Sequence, residues 1–530
     1  MDVAVIGSGL AGVFAARALA NRGLKVTMLD VGETLDPRRS ATVARLRELE
    51  PEAWPAADRD LISANATVGG DELPKKMHFG SDYIYAEHRP FAQVITNTSG
   101  RAPFPTFARG GFSNVWGAAM LPPDACDMTD WPIPRSAMEP YFRKVAEALP
   151  LCGDGGSLAQ AFPAYRNALG YLDPGPQGAA LLEDLQRVKS DLAAAHVLYG
   201  AARLAIHTVG DDSVLPCNGC GQCFTGCVRG SIFSTVPMLE RMIRRLEIDY
   251  RGGIFVRSIK EDDDKVRLEI FDLANGAREL SCKAVFIAAG PLNTTAMLLR
   301  SAGYFDRPVS LKESQKFLVP ALRSRAAATA MEKPSVTLAA AFIEAKVPDL
   351  SAHWVHVQMI PINEMIVTGS RLPGLRSAWG RRLWGPVLRR AMIAWCGMHS
   401  DHSCSLELRL LPAPNDVHTV SIALNVSEDA RRDARLAARR LARTLRPAGL
   451  YLQPRLTRFA NPGSGTHCGA SFPMRARPVA PLDTDALGRP FGWRRVHAVD
   501  ASVLPSIPGT TLAFAVMANA ARIAEQAPIA

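Results

Sequence analysis

The sequence predicts an α/β fold in two domains, one on a parallel sheet and one on an antiparallel sheet. Three observations lead there. Residues 2–30 run strand, glycine turn, helix, strand, acid; residues 249–290 and 319–425 contain strand-like alternation; and residues 496–526 give a strand, an acid and an apolar helix. With 530 residues, 48% hydrophobic and 21% charged, the chain can bury a sizeable core, which excludes a disordered or collagen-like protein. Its net charge, 61 − 51 = +10, is mild at this length, and no nucleic-acid partner is expected. No apolar run approaches the ~20 residues of a membrane span. The nearest, 509–524, is short and carries Thr, Asn and Arg.

The first strand, 2–6, leads into Gly7-Ser-Gly9-Leu-Ala-Gly12 and an Ala-rich helix to Ala20. Gly7 permits the tight turn, Gly9 lets the backbone approach a pyrophosphate, and Gly12 lets the helix pack closely on the strand. The helix N-terminus offers free N–H groups to phosphate. A second strand follows over 24–29, and Asp30, 18 residues past Gly12, is placed to accept from ribose hydroxyls. This is a complete Rossmann-like dinucleotide-binding unit. Residues 31–80 are polar, irregular or helical. Residues 101–120, rich in Gly, Pro and aromatics, read as a loop crossing a site, and 135–210 read as mostly helical. Next come a cysteine cluster at 217–227 and strands over 249–290 that end in Ile-Ala-Ala-Gly290. The strand-rich stretch 319–425 includes 351–360 and is interrupted at 371–396 by a basic aromatic segment. A charged Arg/Ala helix over 427–446 precedes the C-terminal strand and helix.

The C-terminal segment decides which dinucleotide is expected. Val499-Asp500-Ala501-Ser502, a Pro-rich turn and the helix from Ala513 resemble the signature of the glucose–methanol–choline (GMC) oxidoreductases, which are flavoenzymes. Three more segments resemble that family in order: Arg109-Gly110-Gly111-Phe-Ser113-Asn114-Val115-Trp116-Gly117, the strand and turn through Gly290 to Leu298-Leu-Arg-Ser301-Ala-Gly303, and Ser464-Gly-Thr-His467-Cys-Gly-Ala470. The resemblance implies a GMC-type FAD-binding domain over 1–120, 211–315 and 470–530. It also implies a mixed α+β substrate domain on an antiparallel sheet over 121–210 and 316–469. Cofactor contacts are implied at Gly7, Gly9, Gly12 and Asp30, at Gly110, Gly111, Ser113, Asn114 and Trp116, and at Val256, Gly290, Asp500 and Ala501. The loop at Trp116 looks closer to the pyranose-oxidase-like branch, where a flavin-linking His precedes the Trp. Val115 stands there instead, so FAD is expected to be non-covalent. Ala470 replaces the usual Gly of the histidine motif, and Thr511 falls where many members have His or Asn.

The family reaction takes a proton from a CH–OH group while hydride leaves the carbon for flavin N5. Histidine has a pKa suited to the base. His467 alone of eleven histidines sits in the motif and is assigned that role. Thr511 is assigned to position the substrate oxygen; its alternative is a helix N-cap. Alternation over 351–360 puts Trp354, His356 and Gln358 on one strand face, lining either the pocket or solvent. The substrate is expected to be a sugar, sugar-lipid, sterol or other lipid-like alcohol, and the enzyme a dehydrogenase. The rival readings are a desaturase or amine oxidase, and a non-catalytic electron-relay flavoprotein.

Cys217-x2-Cys220-x2-Cys223-x3-Cys227 has the spacing of bacterial ferredoxin runs, with Val228 where those have Pro. It reads as an iron–sulfur site, against zinc or metal-free thiols. The electron acceptor stays open among a quinone, a cytochrome and O2. Residues 371–395 hold Arg371, Arg376, Arg381, Arg382, Arg389 and Arg390, three tryptophans and no acid, with Pro386 expected to split the segment in two. They read either as an interfacial segment for an anionic membrane or as a lid. Met1 is followed at once by Asp2 and a strand, so the expected location is cytoplasmic, peripheral on the inner membrane if that segment binds lipid.

Overall fold

The computed structural model describes residues 1–64, 76–85, 88–96, 105–167, 169–211, 213–327, 335–363, 366–367, 374–375, 377–412 and 417–529. A five-stranded parallel sheet has the order Val496–Ala498, Ala284–Ile287, Val3–Ile6, Val26–Leu29, Ile248–Arg251. Its central strands are short apolar runs because both faces are covered. The helices Leu10–Asn21 and Ala513–Gln526 pack against each other. Their alanines allow a close approach, and residues 514–524 of the last helix are buried all round. The carboxyl ends of these strands open onto the crevice where α/β sheets bind ligands.

The 249–290 run resolves into an antiparallel sheet of Ile254–Glu261, Val266–Asp272 and Gly276–Cys282, and then the parallel strand Ala284–Ile287. A six-stranded, mostly antiparallel sheet joins Cys468–Gly469, Val309–Glu313, Ser405–Leu411, His418–Asn425, Ala92–Thr96 and His88–Arg89. It draws on segments from both sides of the domain division expected from sequence. A seven-stranded antiparallel sheet follows the path Leu450–Leu452, Lys316–Arg323, Ala391–Gly397, Ser351–Pro361, Ala341–Val347, Val197–Ala201, with Arg458–Phe459 also pairing to Lys316–Arg323.

Three local expectations need correction. Ser351–Pro361 is an inner strand, buried over most of its length, so its solvent-facing alternative does not hold. The 135–210 stretch is not helical to its end, because Val197–Ala201 leaves the helices to pair with Ala341–Val347. Pro386 does not split the basic segment. It lies inside one helix, Ala378–Leu388, in the last turn, where it removes one i−4 hydrogen bond without breaking the helix. The segment does end there as a unit, since Ala391–Gly397 belongs to the seven-stranded sheet. Arg371 and Arg376 lie outside the described residues. Among those described, no helix is long and apolar enough to cross a membrane.

Candidate active site

Two clefts share the loop 111–117 and the start of the last helix as a common wall. The first lies at the carboxyl ends of the parallel strands. Gly7, Gly9, Asp30, Gly111, Ser113, Val256, Gly290, Asp500 and Ala501 line it, all of them residues expected to contact the cofactor. Gly12 packs instead of lining: a Cβ there would stand 1.9 Å from the Gly7 carbonyl oxygen. At Gly9 and Gly290 an added Cβ would meet nothing within 4 Å, so both face open space in the cleft. Gly7 has φ +95°, as the tight turn requires.

Ser8 ties this turn together. Its hydroxyl donates to the Asp30 carboxylate and accepts from the Gly110 N–H at 2.8 Å, and Tyr250 donates to Asp30 at 3.2 Å. Burial pushes the Asp30 carboxyl up to about 6, opposed by those two bonds and by Arg109. Gly110 and Asn114 shape the loop from within. Gly110 has φ +84°, and the Asn114 amide donates to the carbonyls of Arg109 and Gly111, both at 2.9 Å. At the far wall Asp500 accepts from Gly290 N–H, Thr294 Oγ1 and Ser502 N–H at 2.9, 2.5 and 2.9 Å. The open space at Gly9 and Gly290, the helix N-terminus at Leu10 and the buried acceptor Asp30 together fit an FAD nucleotide.

The second cleft is lined by His467 and Thr511 with Val115, Trp116, Gln358 and Trp395, and by two lysines, Lys76 and Lys316, that sequence reasoning missed. His467 is held by its backbone: its carbonyl accepts from Ser314 N–H at 3.0 Å, and the adjoining strand Cys468–Gly469 pairs with Val309–Glu313. Thr466 at φ +55° and Ala470 at φ +58° bracket it in left-handed conformation, which explains why a Gly suits position 470. Burial, then Lys316, then His356 hold the His467 imidazole well below its ordinary pKa, so it stands neutral. Its Nδ1 has no partner among the described residues. Lys316, 5% exposed, donates to Ser314 Oγ at 3.0 Å, and burial brings its pKa down to about 8. Lys76 donates to the Trp116 carbonyl at 3.2 Å.

The structure revises three of the pocket assignments. Thr511 lines the cleft, but its hydroxyl donates to the Leu121 carbonyl at 2.8 Å and accepts from the Leu121 N–H at 2.7 Å. Its proton is therefore committed to pinning two segments and not to a substrate oxygen, and it does not cap the last helix. Gln358 reaches the cleft, whereas His356 sits behind it. Gln358 donates to His356 Nε2 at 3.1 Å, and His356 Nδ1 bonds the buried Glu344 carboxylate. Trp354 turns away and donates to Asp124 at 2.8 Å.

Cys217, Cys220, Cys223 and Cys227 are free thiols, and burial, then the neighbouring thiols of the loop, raise the pKa of the first three. Gly219, Gly221 and Gly226 all take positive φ to curl this loop, and Phe224 carries it to the second cleft. These thiols are not among the clusters of three ligand atoms within 4.8 Å found among the described residues.

A family model described as an FAD binding domain matches residues 2–44. Pyridoxine 4-oxidase from Mesorbium loti is similar in structure, with TM-score 0.60 and 16% identity over 99% of this chain and 98% of that one. No curated protein matches. The fold is thus a two-domain FAD-binding fold like that of pyridoxine 4-oxidase.

Proposed function

We propose that the chain is an FAD-dependent oxidoreductase of the GMC type that oxidises the CH–OH group of a small-molecule alcohol, with His467 as general base. One observation carries this reading: a neutral imidazole stands in a cleft that shares its wall with the nucleotide cleft. The FAD binding domain match and the likeness to a protein named pyridoxine 4-oxidase support it. FAD, when bound, supplies the two-electron acceptor. His467 takes the hydroxyl proton, and its burial, with the Lys316 ammonium nearby, keeps the imidazole unprotonated beforehand. Gln358 offers its amide to the substrate. Among the described residues the cleft is lined by two lysines and no carboxylate, which favours a substrate whose remaining polar groups are neutral or anionic. Val115 offers no nucleophile for a flavin linkage, so acid precipitation releases the flavin. The deciding experiment is an anaerobic screen of alcohols that follows flavin bleaching. His467→Ala should keep its flavin and lose roughly 10²–10⁴-fold in the bleaching rate. Full-rate bleaching by that variant refutes the base, and bleaching by amines alone refutes alcohol chemistry.

We further propose that the four-cysteine loop holds an iron–sulfur cluster that passes electrons to an external acceptor. Its ferredoxin spacing, its glycine-curled loop and its contact with the second cleft through Phe224 support this. Iron and acid-labile sulfide should co-purify anaerobically, and their absence refutes it.

The helix Ala378–Leu388 exposes Trp379, Leu383 and Val387 one turn apart, at 72%, 59% and 40%. Arg381, Arg382, Arg389 and Arg390 accompany them. This favours reversible docking on an anionic membrane surface. Trp395, by contrast, lines the second cleft and does not belong to the docking face. The flanking strands carry Gln358 and Trp395 into the cleft, so docking would bring it close to a lipid-linked alcohol. Co-sedimentation with anionic vesicles should fall with salt and in the Arg381→Ser, Arg382→Ser, Arg389→Ser, Arg390→Ser variant. Equal pelleting of both proteins refutes it.

A further inference from the structure

A second polar cluster lies away from both clefts. Cys126, Asp127 and His353 bring a sulfur, a carboxylate oxygen and a ring nitrogen within 4.8 Å of one another. The first two ride on the short helix Ala125–Met128, and His353 lies near the start of Ser351–Pro361. Asp127 Oδ2 is occupied by the Asp124 N–H at 3.3 Å. Its Oδ1 is left facing His353 Nδ1 at 3.2 Å and Cys126 Sγ at 3.8 Å. On the other side of the ring, His353 Nε2 faces Asp401 Oδ2 at 3.7 Å. His399 stacks flat on His353 with centroids 3.5 Å apart, and its Nδ1 accepts from the Asp401 N–H at 3.2 Å. The Nε2 of His399, a residue only 3% exposed, is buried with no partner among the described residues. The Lys346 ammonium stands 3.1 Å from Cys126 Sγ.

We propose that Cys126, Asp127 and His353 bind one zinc-class divalent cation, with water in the fourth position. A thiolate, an imidazole and a carboxylate form a ligand set that zinc accepts in tetrahedral geometry. The carboxylate on the far side of the His353 ring is the partner that metal-bound histidines commonly have. On binding, the Cys126 thiol releases its proton to solvent. His353 Nδ1, which faces the Asp127 carboxylate, likewise gives its proton to solvent, and the ring keeps the one on Nε2, turned to Asp401. Lys346, whose ammonium stands beside the sulfur, has a long side chain that can withdraw as the ion binds. Cys126 is half-buried and the His353 side chain 13% exposed, so the ion site is reached from solvent. The neighbouring residue Ser400 exchanges bonds with the backbone of Ile507, at 2.9 and 3.1 Å, on the loop that leads to Thr511. The ion would therefore staple residues 124–128 to the seven-stranded sheet beside the second cleft.

The test uses the full, flavin-loaded chain dialysed against micromolar Zn²⁺. Wild type should hold one zinc per chain more than Cys126→Ser or His353→Gln, whatever the Cys217 loop binds. Zinc should raise the thermal midpoint of wild type and leave that of both variants unchanged. Asp401→Asn should retain the site with affinity weakened about 10–100-fold. Peptide-level alkylation gives a readout without altering the thiol: zinc should slow labelling of Cys126 about tenfold or more in wild type and not in His353→Gln. Equal zinc content in wild type and both variants, or zinc-independent labelling of Cys126 in the folded wild type, overturns the proposal.

Discussion

Asp500→Ala tests how the nucleotide cleft is held. The Asp500 carboxylate, 4% exposed, accepts three hydrogen bonds, from Gly290 N–H, Thr294 Oγ1 and Ser502 N–H. Truncation removes all three acceptors at once. A buried donor left unpaired costs about 1–3 kcal/mol, which gives about 3–9 kcal/mol for three. Water admitted to the vacated space recovers part of this, and about 4 kcal/mol is the working expectation. That is about a thousandfold in an equilibrium constant. The loss falls on flavin retention as well as on folding, because Gly290 and Asp500 both line the cleft and Gly290 opens the helix Pro291–Ser301. Asp500→Asn keeps one acceptor oxygen and should fall between the two. The assay is flavin absorbance relative to protein after gel filtration, paired with urea unfolding of apo and loaded protein. If Asp500→Ala keeps full flavin and unfolds within about 1 kcal/mol of wild type, the three bonds do not do what their geometry implies.

The base should show itself in pH dependence. His467 is held below its ordinary 6.5, so the rate is lost only as pH falls through that depressed value, and the acid limb of kcat/KM should lie below pH 6.5. Lys316→Met removes a charge that opposes the imidazolium and should move that limb to higher pH; a wild-type limb above 6.5 refutes the assignment. Gly12→Ala forces a Cβ to within 1.9 Å of the Gly7 carbonyl oxygen and should destabilise the apo-protein, whereas Gly9→Ala meets nothing in the chain and should weaken only flavin binding. Apo-protein melting of both variants decides, and equal losses refute the distinction. Arg323 and Asp184 form a buried ion pair at 2.5 Å, so Arg323→Met should cost about 3–5 kcal/mol, toward the lower end because Arg187 also reaches Asp184. Adding Asp184→Leu should recover most of that loss in urea unfolding, and no recovery refutes it.

The parallel sheet was legible because its signals are local. Its central strands are short apolar runs punctuated by Gly or Asp, and the glycines at 7, 9 and 12 differ in ways a sequence position already implies. The seven-stranded sheet was legible only as scattered strands. Its pairing of Val197–Ala201 with Ala341–Val347 joins segments far apart in the chain, and no local pattern encodes that register. Lys316 escaped notice because a lysine opening an apolar strand looks like its wet end. Its burial comes from tertiary approach: a Cβ on Gly397 would stand 2.6 Å from the Lys316 ammonium. Thr511 was found by resemblance, but its hydroxyl is spent on Leu121, 390 residues away, which sequence cannot reveal. Ala470 shows the opposite case. The sequence marked it as a departure, and φ +58° supplies the physical reason.

Residues 313–316 show how the two large sheets jointly set the base. Glu313 ends a strand of the six-stranded sheet and accepts from the Gly463 N–H, anchoring the loop that carries His467. Ser314 gives its N–H to the His467 carbonyl and its hydroxyl oxygen to the Lys316 ammonium. The amide of Gln315 donates to the Ala460 carbonyl, while its N–H bonds Ser403 Oγ. Lys316 then opens the seven-stranded sheet. Position and protonation of the base therefore depend on one four-residue junction, and none of these four residues lines the nucleotide cleft. Changes at 313–316 should alter turnover and its pH dependence while flavin retention survives. Changes at Asp500 should instead lower flavin retention and leave the pH dependence of the molecules that keep their flavin unchanged, because its bonds fix the wall of the nucleotide cleft and it lines no part of the second.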